Sequence, residues 1–121
     1  MNPVAIPSRY HCELHSRQLL VLCGHLADAG FEGRYPLIEA SNRISRVAWE
    51  NRTIEPGAAY RVIRVAAEYR KTADHNPEIV EALYKVARWS ICHEDGPSPG
   101  WVTMLAEEGF PPDPTGTVND Y

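Results

Sequence analysis

No stretch of this chain approaches the roughly 20 consecutive apolar residues that a membrane-spanning helix needs. The first ten residues, Met1 to Tyr10, also lack the basic start and apolar run of a secretory leader. Neither membrane insertion nor export is expected. Cysteine is scarce: Cys12, Cys23 and Cys92 cannot all pair within one chain, and none stands in Cys-x-x-Cys spacing, which fits a reducing, cytoplasmic setting. Runs of alternating polar and apolar residues are missing, and the only short apolar stretch outside a helical pattern, Val4-Ala5-Ile6, lies between prolines, so a sheet has nothing to grow from. The chain has no glycine-rich phosphate loop, no Gly-x-Ser-x-Gly elbow and no His-Glu-x-x-His helix. No catalytic set emerges, and neither an enzyme nor a resident cofactor is expected.

Charge is unevenly spread. Seven of the 12 bases lie between Arg43 and Lys71, whereas everything after Arg88 carries six acids and no base. With a net charge of −4, the whole chain lacks the surplus of Lys and Arg that neutralising many phosphates demands. The expected molecule has a basic middle and an acidic end.

What is present is helical punctuation. At 121 residues, 44% of them hydrophobic, the chain suits one domain with one core. Ser8 after Pro7 caps a first helix, along which Cys12, His15, Leu19, Leu22, Cys23 and Leu26 form a buried stripe, and Gly30-Phe31 stops it. Pro36 opens a second helix with Leu37, Ala40, Ser41, Ile44, Val47 and Ala48 inward. Thr53 is the expected cap of a third, with Pro56 in its first turn and Ala59, Tyr60, Ile63, Ala66 and Ala67 inward. Asn76-Pro77 starts a fourth carrying Val80, Leu83, Ala87 and Ile91. Ser98-Pro99 restarts the chain as a short fifth, stopped by Gly109-Phe110. The expectation is an all-α domain over 1–121: an N-terminal extension at 1–7, a compact bundle or orthogonal array of about five helices at 8–110, and a flexible acidic tail at 111–121.

His11 and His15 stand one helical turn apart, as paired zinc ligands do, and Cys92-His93 would have to complete the set. Neighbouring residues point in different directions from a helix, so local hydrogen bonding of partly buried histidines is the better reading and no metal is expected. The cysteines of the apolar stripe read as core residues, and Glu94-Asp95 and Glu107-Glu108 as solvated charge at helix ends.

The expected working surface is Arg43, Arg46 and Arg52 around Trp49, because arginine and tryptophan concentrate binding energy, together with the acidic end at Glu107 and Glu108. These residues point to a non-enzymatic protein-binding module: a small regulator or inhibitor of a partner complex, of the kind by which phage or mobile-element products block a bacterial defence system. Exposed Ile38, Trp49 or Trp89 would seal a homodimer as readily as meet a foreign protein. The alternative is a helix-turn-helix-like DNA-binding regulator presenting Asn42, Arg43 and Arg46 to a major groove.

Overall fold

A computed structural model describes residues 6–94 together with Thr103, Ala106 and Glu107. Four helices account for most of it: α1 (Arg9–Asp28), α2 (Arg34–Glu50), α3 (Ala58–Arg70) and α4 (Pro77–Cys92). Thr103, Ala106 and Glu107 are also helical and exposed, and the remainder of the expected fifth helix, its Gly109-Phe110 stop and the acidic tail lie outside the described residues.

Local chemistry explains most of the boundaries. The Ser8 hydroxyl accepts from the His11 amide at 3.1 Å, satisfying one of the amides that α1 leaves without a helical partner. At the other end Gly30 turns left-handed, with φ at +78°, and the Phe31 amide reaches back to the Leu26 carbonyl at 2.9 Å, so the stop is made by the residue type that tolerates it. Asn76 accepts from the Glu78 amide at 2.9 Å, and Pro77 fills the first position of α4.

The start of α3 departs from expectation. Thr53 does not cap it, and Pro56 precedes it: Pro56 holds Glu55 out of the helical region, Gly57 is left-handed at φ +107°, and α3 begins only at Ala58. The first amides of α3 are instead satisfied from 35 residues away, where the Glu94 carboxylate accepts from the Ala59 amide at 2.9 Å. In register with that contact, the Ile54 amide donates to the His93 carbonyl at 2.8 Å, forming an isolated parallel bridge that ties the α2–α3 link to the end of α4.

Packing runs most extensively between α1 and α2 and between α3 and α4; α2 against α3 joins the two hairpins, and α1 meets α4 over a smaller contact. The core lies between the pairs: Leu19, Leu26, Leu37, Ile44, Ile63, Leu83, Tyr84 and Trp89 are fully or almost fully buried. The inward face of α3 is wider than its periodicity suggested, since Val62, Val65 and Tyr69 are buried whereas Tyr60 and Ala67 are only half-buried. Trp89, expected at the surface, is 1% exposed. Among the described residues no helix is long and apolar enough to cross a membrane.

Candidate functional site

Of the aromatic clusters that this packing forms, two bear on a candidate site, one sealed and one open. The sealed one lies where α1 meets α4. His15, fully buried, packs tilted against Trp89 at 4.2 Å between ring centroids, and Trp89 in turn lies 5.2 Å from His93, while His11 stands 6.3 Å from His15 on the outer side. Burial above all, then the neighbouring His11, pushes the His15 imidazole down to about 4, against a hydrogen bond with Gln18 that favours the charged form. His11 is held by Ser8 at 2.7 Å. Among the described residues no three His, Cys, Asp or Glu side chains gather as a metal site would require. The one-turn spacing of His11 and His15 sets their rings roughly parallel on one side of α1. Cys12 is buried, with its thiol pushed up to about 11 by burial and the adjacent Glu13, which leaves almost no thiolate near neutrality.

Glu94 was expected to be solvated and is instead fully buried. Burial pushes its carboxyl above the usual range, against the opposing pull of the Ala59 amide, the Ser90 hydroxyl and the Gly57 and Ala58 amides. A negative group at a helix N-terminus is favourable, so Glu94 works as a cap supplied from just past the end of α4. No short motif announces such a cap, because donor and acceptor meet only once the fold has formed.

The open cluster lies on the outer surface of α1 and α2. Their antiparallel packing is pinned where the Ser41 hydroxyl donates to the Ser16 carbonyl at 2.9 Å. Serines at 16, 41 and 45 leave a groove of about 420 Å³ between the helices, walled by Glu13, Arg17 and Leu20 on α1 and by Asn42 and Trp49 on α2. Trp49 is 67% exposed, and Leu20 is half-exposed. The guanidinium lying over the Trp49 ring, 3.5 Å from its centroid, belongs to Arg9 of α1, which also pairs with Glu13 at 3.2 Å. Arg9 played no part in the sequence reading, since 40 residues separate it from Trp49.

Arg43, Arg46 and Arg52 do converge, but on Glu55: at 3.1, 3.7 and 3.0 Å respectively. Arg43 also pairs with Glu39 at 3.1 Å, and Arg52 with Glu50. Three guanidinium groups meet three carboxylates, so this surface carries little net charge and serves to fasten the 51–57 link against α2. Of the acidic end, Glu107 is exposed on helical backbone and Glu108 lies outside the described residues.

The arrangement offers apolar and aromatic surface beside fixed charge, the composition of a contact patch. In comparisons with known proteins, no family model matches this chain, and neither a curated protein nor a solved structure matches it significantly.

Proposed function

We propose that the protein is a non-enzymatic protein-binding module whose α1–α2 face, centred on Trp49, occupies the surface of a partner complex and so regulates or inhibits it. The observation that carries this reading is a tryptophan 67% exposed at the end of an inter-helix groove and held flat by an arginine. Leaving that much aromatic surface in water gains the fold little, whereas an anchored ring loses little rotamer freedom when it enters a partner's pocket. Inhibition by occupation needs no catalytic residues, and a phage or mobile-element product that blocks a bacterial defence complex in the cytoplasm would act in this way. Arg43, Arg46 and Arg52, gathered on Glu55, add a second group of contacts, and the acidic end at Glu107 and Glu108 supplies contacts for a basic partner. DNA recognition has weaker support, because Arg43 and Arg46 already share Glu55.

The test is affinity capture from the native host. Wild-type chain should recover a specific protein, and Trp49→Ala should recover roughly tenfold less or worse, as loss of a tryptophan anchor implies, while melting near the wild-type temperature. Equal recovery by the two chains would remove Trp49 from the interface and overturn the reading.

A further inference from the structure

We propose that a second copy of this chain covers the α1–α2 face when no other protein does, so that a partner binds by displacing the copy. This rests on the reading of that face as a protein-binding surface. On α1, Tyr10, Glu13, Arg17 and Leu20 recur at alternating steps of three and four residues, which sets them along one side of the helix. Tyr10, Arg17 and Leu20 are exposed and Glu13 half-buried. On α2, steps of seven place Tyr35, Asn42 and Trp49 along the matching side, all three exposed, Tyr35 by 78%.

Both stripes are self-complementary about one two-fold axis. The bond between Ser41 and Ser16 sets residue 41 beside residue 16 on antiparallel helices, so residue 42 stands level with residue 15. An axis crossing the face at that level lays each helix antiparallel on its own copy. On α1 it sets Tyr10 against the partner's Leu20 and Glu13 against the partner's Arg17, each contact made twice. On α2 it sets Tyr35 against the partner's Trp49 and Asn42 against the partner's Asn42, a polar pair of the kind that fixes register between helices. Shifting the axis by about half a turn along α1 would lay Arg17 on the partner's Arg17, or Glu13 on the partner's Glu13, so charge selects the register. One axis therefore gives the exposed Tyr10 and Tyr35 apolar or aromatic partners, Arg17 a carboxylate, and Glu13 a second cation beside Arg9.

Sedimentation equilibrium of the full chain, with no other protein present, tests this. The expected result is a concentration-dependent dimer. Glu13→Arg and Arg17→Glu should each raise its Kd roughly tenfold or more, and the double swap should bring it back near the wild-type value, with circular dichroism melts showing all variants folded. A monomer at every concentration, or a dimer indifferent to both reversals, would overturn the proposal. The readout involves no partner, so a dimer with this swap pattern alongside failed capture would count against the proposed function alone, and a monomer with Trp49-dependent capture against the pairing alone.

Discussion

Trp49 and Trp89 sit on different helices and both pack against a nitrogen-bearing side chain, yet one lies in water and the other in the core. Trp89 is clamped between His15 and His93 where α1 meets α4, and its neighbour on α1 is held neutral by burial. Trp49 stands beside Arg9, a cation that remains hydrated, over a groove floored with serine. The contrast separates what holds the fold from what the proposed reading leaves for a partner: Cys12, His15 and His93 belong to the first, Arg9 and the open tryptophan to the second.

The comparison breaks most visibly at Trp89. Trp89→Ala should cost about 3–5 kcal/mol, a large share of the stability of a domain this size, and chemical denaturation would show it as a collapse of the unfolding midpoint. His15 should give the next largest effect. Its imidazole stays neutral down to about 4 in the fold, whereas an unfolded imidazole titrates near its ordinary 6.5. Between those values the unfolded chain takes up a proton that the folded chain refuses, so stability is full above about pH 6.5 and falls as the pH drops through about 4, by on the order of 3 kcal/mol. Melts across that window should show His15→Phe losing clearly less stability in acid than the wild type; parallel losses would contradict the assignment.

Glu94 sharpens the contrast in a different way, because its role is geometric as much as electrostatic. Glu94→Ala strands the Ala59 amide and should cost about 1–3 kcal/mol, whereas Glu94→Gln keeps an acceptor, removes a charge that burial disfavours, and should cost less than half as much. Equal losses for the two variants would mean that the carboxylate charge, not the cap, is what matters. Smallest of all, Trp49→Ala should change stability by about 1 kcal/mol or less, since an exposed cation–π contact is worth no more.

How much of this was legible in the sequence follows from the range of each interaction. Ser8, Gly30-Phe31 and Asn76-Pro77 act on amides and carbonyls within a few residues, and each marks the boundary expected of it. The start of α3 was misread because its cap, Glu94, is remote in sequence, and because Pro56-Gly57 suits a helix start and a turn equally well until the positive φ of Gly57 is seen. The buried stripe of α1 was legible from its periodicity, but the difference between Trp49 and Trp89 was not, since each depends on which helix packs over it. At the candidate site, Trp49 and its neighbouring arginines could be picked out by residue type. That those arginines spend their charge on Glu55, and that Arg9 is the one lying over the ring, required the pairing of α1 with α2.

The central claim is that the α1–α2 face meets protein and the end of α3 does not. A photo-crosslinking residue at Ser45, in the groove, compared with one at Lys71, exposed at the far end of α3, tests it in the native host. The account predicts discrete protein adducts from position 45 that disappear when Trp49→Ala is added, and none from position 71; adducts of equal yield from both positions, or adducts at 45 indifferent to Trp49, would contradict it.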